Sequence, residues 1–303
     1  YTKQDKTISN FSNVYSTNGL LGHINVIDYK ANQTRALFNN NISQSYMHIP
    51  TGRSQWTYVH RLATYTSFKP VGSEVFLVGL GAGNVINEFN LLKFQVDVCD
   101  IEKRTAFVAK KYFAMTNPRN IIIDDARHAI TTNSNKYDLV VLDVSAGETQ
   151  PNNLYTTESF ESIKKILKND GVLFIHYPTM MNGEEVMALK SICKTLEACK
   201  YHVNLINTGD NPDVMVEQLV VASLHDFDLE KQSFERRDKF ALPFNFTVDG
   251  NFMRKDFDFS DGYILTDDKP IMDELHYAVT KRHRTDGINV TVKSLLKAGI
   301  KMF

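Results

Sequence analysis

Cysteine is scarce in this sequence of 303 residues, and the three cysteines that occur form no motif. Cys99, Cys193 and Cys199 are odd in number and include no Cys-x-x-Cys pair, so the sequence offers neither a disulfide framework nor a cysteine-based zinc site. This pattern fits a reducing compartment. We therefore expect a cytoplasmic protein that holds no metal.

Long apolar runs are also missing. No stretch reaches the ~18 consecutive apolar residues that suggest a membrane-spanning helix, and no signal peptide is visible. The sequence begins at Tyr1 rather than at a methionine, so a membrane segment outside it stays open. In that case the chain is the soluble domain of a membrane-attached protein.

An excess of charge of one sign is absent as well. The 34 basic and 35 acidic residues leave a formal net charge of −1, which argues against general nucleic-acid binding because such proteins usually carry a basic excess. With 43% hydrophobic and 23% charged residues, the composition is that of an ordinary globular protein with enough apolar surface for a core.

Residues 1–70 are predicted to form a small β-rich domain. Gly22–Asp28 alternates apolar and polar side chains, as a half-buried strand does, and Arg35–Phe38 is the predicted return strand after a polar turn. Residues 52–67 are predicted to be helical.

From Glu74 onward, apolar strand segments alternate with helical segments. Strands are predicted at 75–78, 96–99, 121–123, 139–142, 172–175, 201–206 and 218–222, and helices at 84–93, 103–115, 126–132, 157–168 and 184–199. This alternation predicts an α/β fold in which residues 71–225 form a doubly wound sheet that binds ligands at the carboxyl ends of its strands. Residues 226–303 are a C-terminal extension, predicted to be helical near 227–238 and 270–283.

A glycine loop, Gly79-Leu-Gly-Ala-Gly83, directly follows the first strand of this sheet and opens a helix. Glycine lets the backbone turn tightly and approach a ligand, although a plain strand-to-helix turn can have the same sequence. Asp100 ends the second strand, where a carboxylate can accept both ribose hydroxyls of an adenosine. Glu102 is a weaker candidate for that role, and capping of the next helix is the structural alternative for both acids.

Two further strand ends carry carboxylates. Asp125, followed by Ala126, can accept the exocyclic amine of adenine or cap the helix that follows. Asp143 emerges from a buried apolar strand and is a candidate general base or cation anchor. Glycines and carboxylates at four consecutive strand ends indicate an adenosine with a charged tail rather than a dinucleotide.

These motifs resemble those of the spermidine/spermine synthase family, the polyamine aminopropyltransferases, over residues 20–225 or so. The resemblance is carried by the glycine motif Val78–Val85, the ribose-binding segment Val98–Glu102, the catalytic strand end and gate loop Asp143–Thr156, and the N-terminal positions Asn40–Gln44 and Tyr58. It implies the class-I S-adenosylmethionine-dependent transferase fold, a Rossmann-like doubly wound sheet with a small N-terminal β-rich domain. Thr266–Pro270 resembles a short signature of membrane-fused members, with helix capping as the alternative.

The resemblance also implies roles for individual residues. Gln44 and Tyr58 would hold the aminoalkyl tail of the donor, and Asp143 would act as base or ammonium anchor. The nucleoside would be held by Gly79, Gly81 and Asp100, with Asp125 and Ala126 at the adenine. His176 follows the fifth strand and can line the reaction cleft, although a single histidine there can equally be a hydrogen-bonded structural residue.

Several positions depart from the pattern of the family. The family has an acid in the glycine loop where this sequence has Ala82, and a second gate-loop acid where it has Ala146. A polyamine-contacting glutamine is replaced by His176, and an acceptor-binding tyrosine by Asn211. A dicationic acceptor such as putrescine needs carboxylates to offset its desolvation, so these departures argue against ordinary spermidine synthesis.

We therefore expect an enzyme whose substrate is S-adenosylmethionine or its decarboxylated form. It would break the bond between sulfur and the three-carbon chain and release methylthioadenosine. With an amine acceptor the outcome is aminopropyl transfer, and without one it is lyase-type elimination or cyclisation. Two alternatives remain, an S-adenosylmethionine-dependent methyltransferase and a non-catalytic nucleoside-binding scaffold. We also expect a homo-oligomer.

Overall fold

The computed structural model describes residues 11–144, 150–206, 215–234, 253–254 and 257–297. These residues form two β-sheets, with the second carrying helices on both faces. The first sheet is a five-stranded antiparallel meander in the order β1-β2-β3-β4-β5. Its strands are β1 (Phe11–Gly19), β2 (Gly22–Tyr29), β3 (Thr34–Asn39), β4 (Ile42–His48) and β5 (Arg53–Ser54).

The second sheet has eight strands in the order β13-β11-β12-β10-β9-β6-β7-β8. They are β6 (Glu74–Val78), β7 (Gln95–Asp100), β8 (Asn120–Ile123), β9 (Tyr137–Leu142), β10 (Leu167–Thr179), β11 (His202–Ile206), β12 (Val216–Ser223) and β13 (Met253–Arg254). Strands β8, β7, β6, β9 and β10 are parallel, whereas β12 is antiparallel to both of its neighbours, β10 and β11. The amino end of β12 therefore lies at the same edge as the carboxyl ends of the parallel strands.

Helices follow most strands of the second sheet. They are α1 (Thr57–Thr66), α2 (Asn84–Leu91), α3 (Lys103–Tyr112), α4 (Ala126–Thr132), α5 (Thr157–Ile166), α6 (Met187–Ala198) and α7 (Met272–Lys297). Apolar side chains of α4, α5 and α6 pack on one face of the sheet, and those of α1 and α2 pack on the other. No helix within the described ranges combines the length and the apolar character that crossing a membrane requires.

A third apolar cluster joins the two sheets. Ile24, Val26 and Leu37 of the first sheet pack against Val108 and Phe113, on and just after α3. The first sheet thereby covers the helix that follows β7, next to the carboxyl edge of the second sheet. This packing positions the N-terminal strands over the glycine loop.

The elements differ from the sequence prediction in a few places. The helix predicted at 52–67 begins only at Thr57, because residues 53–54 pair with β4. The helix predicted at 227–238 is, among its described residues, a single 3₁₀ turn at Leu229–Lys231. The C-terminal helix begins at Met272, two residues after Pro270, and extends well beyond the predicted 283.

Candidate active site

A cavity of about 360 Å³ lies at the carboxyl edge of the second sheet, partly covered by the first sheet. The structure brings all ten predicted site residues to its walls: Gln44, Tyr58, Gly79, Gly81, Asp100, Glu102, Asp125, Ala126, Asp143 and His176. They come from seven strands, loops or helix starts that are far apart in the sequence. The placement agrees with the prediction, whereas the chemical role of each residue stays a prediction.

Asp100 organises the glycine loop as well as facing the cavity. Its Oδ2 accepts a hydrogen bond from the backbone N–H of Leu80 at 2.9 Å, and its Oδ1 accepts one from the N–H of Glu102 at 2.7 Å. Burial raises the pKa of Asp100, and hydrogen bonds from the backbone N–H groups of Glu102, Leu80 and Gly81 oppose that shift. Asp100 therefore both holds the glycine loop and lines the cavity where ribose hydroxyls are predicted to bind.

Gly79 brings the glycine loop against the strand end that carries Asp143. Its φ is +95°, and a Cβ added there would lie 2.0 Å from the backbone carbonyl oxygen of Asp143. Only glycine satisfies both conditions. The glycine loop and the backbone of Asp143 therefore lie in direct contact.

Glu102 is mainly committed to structure. Its side chain is 5% exposed and caps α3 by accepting the N–H of Arg104 at 2.9 Å. The other oxygen accepts the N–H of Leu20, in the turn between β1 and β2. Glu102, and not Asp100, is therefore the residue that caps the helix. The carboxylate of Glu102 links the turn between β1 and β2 to the start of α3.

Asp125 caps α4, and Ala126 is the first residue of that helix. The Oδ1 atom of Asp125 accepts the N–H of His128 at 3.1 Å. Its neighbour Asp124 contacts the ring of His128 at 2.6 Å and does not line the cavity. Capping and contact with a ligand are compatible, because a carboxylate has a second oxygen.

At the other end of the cavity, three side chains surround His176. Its Nδ1 lies 2.7 Å from Oδ1 of Asp143, and its Nε2 lies 2.5 Å from Oε2 of Glu217. The ring of Tyr58 stacks on the imidazole with a centroid distance of 3.7 Å and an interplanar angle of 2°. The Tyr58 hydroxyl donates to Oδ2 of Asp143 at 3.3 Å. We call Tyr58, Asp143, His176 and Glu217 the histidine cluster.

The hydrogen bonds define the charge of His176. Ionised carboxylates only accept, so both ring nitrogens must carry protons and the ring is an imidazolium. Burial alone would lower the pKa of His176, but the charges and hydrogen bonds of Glu217 and Asp143 together raise it to about 10. Burial, reinforced by the charge of Asp143, raises the pKa of Tyr58 well above its usual value, so the phenol stays protonated.

This arrangement predicts a pH dependence of stability. The pKa of His176 rises from 6.5 in the unfolded chain to about 10 in the fold, so the folded state holds a proton that the unfolded state releases between these values. The stabilisation is complete below pH 6.5 and is lost as the pH rises towards 10. Relative to His176→Gln, we expect the free energy of unfolding to fall by about 1.4 kcal/mol per pH unit within that window.

Urea titrations of both proteins at pH 7, 8 and 9 measure this difference. Among the residues that the structure describes, Asp143, Glu217 and Tyr58 are titratable groups in contact with His176, and Tyr58 keeps its proton throughout this range. Parallel pH profiles for the two proteins would contradict a buried imidazolium.

Neutral polar groups lie where the donor tail is predicted to bind. Asn84, the first residue of α2, is 5% exposed and donates through Nδ2 to Oγ of Ser45 at 2.8 Å. Among the residues that the structure describes, its buried Oδ1 has no hydrogen-bond partner. Ala82 is 1% exposed and belongs to the apolar cluster between the sheets. Neutral side chains therefore occupy positions 82 and 84 of the cavity wall.

Some cavity residues were missed by sequence reasoning. Met215, just before β12, and Glu217, at its start, line the cavity, and so do His276, Val279 and Thr280 of α7. His276 accepts or donates a 2.7 Å hydrogen bond with the hydroxyl of Tyr177. Ala146 and Asn211, two of the predicted departures, lie outside the described residues.

The Thr266–Pro270 motif does not cap α7. Instead, Asp267 pairs with Arg127 at 2.9 Å and accepts the hydroxyl of Thr156 at 2.6 Å. Thr156 is the N-cap of α5, and Arg127 follows Ala126 in α4. Through Asp267, the motif therefore connects the C-terminal region to the starts of α4 and α5, beside the cavity.

Comparison with known families gives one matching domain model. The spermine/spermidine synthase domain matches residues 58–211, about half of the chain. The sequence is 24% identical over 124 residues to a polyamine aminopropyltransferase of Clostridium beijerinckii, covering 38% of this chain and 44% of that protein. It is 29% identical over 128 residues to that of Vibrio vulnificus, covering 40% and 43%.

Another relative is an N-terminal histidine N-methyltransferase of Emericella nidulans, 30% identical over 111 residues that cover 35% of this chain and 20% of that protein. The alignments with these three curated relatives thus span less than half the length of each. Among the described residues, no group of His, Cys, Asp and Glu side chains has the arrangement of a metal site.

Solved structures agree on the fold. A probable spermidine synthase from Corynebacterium glutamicum superposes with a TM-score of 0.63 at 18% identity, covering 73% of this chain and 83% of that one. A spermidine synthase in complex with the transition-state analogue AdoDATO gives 0.63 at 18% identity, covering 78% and 81%. The predicted class-I, Rossmann-like fold with an N-terminal β-sheet is confirmed.

Proposed function

Because the chain belongs to the spermine/spermidine synthase family, we propose that it transfers the three-carbon side chain of an S-adenosyl sulfonium donor and releases methylthioadenosine. One observation carries this proposal. The carboxylate of Asp143 lies in the same cavity as the glycine loop and Asp100, and the backbone of Asp143 touches Gly79. A nucleoside held by the loop would present its sulfonium close to Asp143.

The proposed chemistry is a displacement at the carbon next to sulfur. The nucleophile forms a bond to that carbon while the carbon–sulfur bond breaks and its electron pair goes to sulfur, which leaves as a neutral thioether. An amine nucleophile loses a proton, and Asp143 is the group that would take it or hold the ammonium before reaction. A sulfonium is a good leaving group, so the protein mainly orients the chain and stabilises its charge.

The donor is S-adenosylmethionine or its decarboxylated form. Where no amine is accepted, the same bond would break by elimination or by attack of a group within the chain, again with release of methylthioadenosine. The Emericella nidulans relative favours one alternative from another reaction class, methyl transfer from the same nucleoside pocket. Fold alone does not separate these reactions.

Product analysis tests the proposal. Each donor is incubated with the protein, with and without an amine, and the nucleoside product is identified by mass spectrometry. Methylthioadenosine supports the proposal, whereas S-adenosylhomocysteine indicates a methyltransferase. Donor binding without turnover under all conditions favours a non-catalytic scaffold.

Asp100→Ala is expected to weaken methylthioadenosine binding by roughly 1.5–3 kcal/mol, or about ten- to 150-fold, because hydrogen bonds to a charged group are lost. The variant also leaves the N–H groups of Leu80 and Glu102 without their acceptor. Asp100→Asn is the matched control, since it keeps one acceptor oxygen and should lose less. Calorimetry measures both affinities, and unchanged binding by Asp100→Ala would remove this residue from the nucleoside site.

A further inference from the structure

The histidine cluster contains a positive charge that belongs to the protein itself. Two carboxylates, Asp143 and Glu217, contact opposite nitrogens of one imidazolium. The three groups together carry one net negative charge, since two negative charges and one positive charge remain. A donor sulfonium supplies one positive charge and would neutralise the cluster.

The imidazolium is held firmly in this position. His176 is 8% exposed and Tyr58 is 7% exposed, and their rings lie parallel at 3.7 Å. A cation against the face of an aromatic ring is stabilised by the quadrupole of the ring. His176 lies near the carboxyl end of β10, between β9 with Asp143 and β12 with Glu217. Moving the ring away would break both ion pairs and the stacking.

We propose that His176, held by Asp143 and Glu217, occupies the place of an acceptor ammonium, so that the site takes acceptors with no more than one ammonium group. This inference rests on the proposed function and specifies its substrate class. The acceptor would be a monoamine, or the donor's own chain would react. A linear diamine, with ammonium groups at both ends, would be disfavoured.

Electrostatics gives the reason. An ammonium close to the imidazolium is repelled, because two like charges interact strongly where most of the surrounding water is excluded. In addition, His176 contacts Oδ1 of Asp143 and Oε2 of Glu217, so its imidazolium lies where an ammonium would pair with both carboxylates. Other carboxylates on the described cavity wall, those of Asp100, Glu102 and Asp125, lie at the nucleoside end.

The test compares two probes that differ only in the second ammonium group, n-butylamine and 1,4-diaminobutane. Their affinities are measured by calorimetry for the protein saturated with methylthioadenosine, so the result does not depend on turnover. For the unmodified protein we expect the diamine to bind no more tightly than the monoamine. In His176→Gln the positive charge is removed while both carboxylates stay, and we expect diamine affinity to rise by at least about tenfold relative to the monoamine.

His176→Lys is the matched control, because it keeps a positive charge and should show no such gain. Binding of methylthioadenosine verifies that each variant is folded. Tighter binding of the diamine by the unmodified protein would overturn the inference whether or not the variants fold. A folded His176→Gln without the relative gain would also overturn it.

A different result would contradict the proposed function. That result is the absence of methylthioadenosine with every donor, whether either amine or no amine is present, and it does not depend on the binding data. If methylthioadenosine is released and the diamine binds and reacts better than butylamine, the proposed function stands and the inference about the acceptor is wrong.

Discussion

Asp143→Asn is expected to lower the rate of product formation by about 10² or more, the usual scale for loss of a general base. The substitution keeps the shape of the side chain and one oxygen that can accept from Tyr58 or His176. It removes the negative charge that would face the sulfonium and the group that would take a proton. The binding of methylthioadenosine should change little, because Asp143 is not among the residues predicted to hold the nucleoside.

Turnover with saturating donor measures this effect, and calorimetry measures nucleoside binding. Asp125→Asn is a matched control, since it makes the same chemical change at the other end of the same cavity. It should weaken nucleoside binding more than it lowers the turnover rate. If Asp143→Asn turns over at nearly the unmodified rate, Asp143 is not the reacting carboxylate.

Ala82→Asp is expected to shift donor preference towards decarboxylated S-adenosylmethionine by up to about 10³-fold. S-adenosylmethionine carries a carboxylate beside its ammonium group, and a like charge at ~4 Å costs on the order of 4 kcal/mol at an effective dielectric constant near 20. In the unmodified protein this repulsion is absent, because the side chain of Ala82 carries no charge. We therefore expect the unmodified protein to accept S-adenosylmethionine at least as well as the decarboxylated donor.

The burial of Ala82 determines the control for this experiment. Because Ala82 is 1% exposed and packs among apolar side chains, any larger polar residue there also costs stability. Ala82→Asn has nearly the same size as Ala82→Asp and no charge, so the comparison of these two variants isolates the electrostatic effect. The ratio of kcat/KM for the two donors is the measurement. Equal ratios in both variants, or a strong preference of the unmodified protein for the decarboxylated donor, would contradict the electrostatic argument.

The sequence predicted the nucleoside end of the cavity better than its reacting end. Gly79, Asp100 and Asp125 lie at or directly after the carboxyl ends of parallel strands, and such ends lie at one edge of a sheet. The common direction of these strands places the residues at the same edge, while strand order determines which of them are neighbours. Their positions could therefore be deduced from local patterns alone.

Local sequence patterns could not predict that Glu217 lines the cavity. It lies at the start of its strand, and a strand start reaches the ligand edge only if that strand is antiparallel to the others. The apolar run Leu219–Ala222 has the same pattern in either direction. The residues from α7 depend on where a helix distant in sequence packs, which local patterns do not specify. The short pairing of β5 with β4 was missed for a similar reason, since two residues carry no periodicity.

The region matched by the family model ends at residue 211, but residues later in the chain also line the cavity. Five lining residues come later in the chain: Met215, Glu217, His276, Val279 and Thr280. The residues predicted to hold a nucleoside, Gly79, Gly81, Asp100, Asp125 and Ala126, thus lie within the matched stretch, whereas part of the wall near the histidine cluster comes from sequence outside it. Under the proposed function, we expect substitutions after residue 211 to affect the choice of acceptor while the predicted nucleoside motif stays intact.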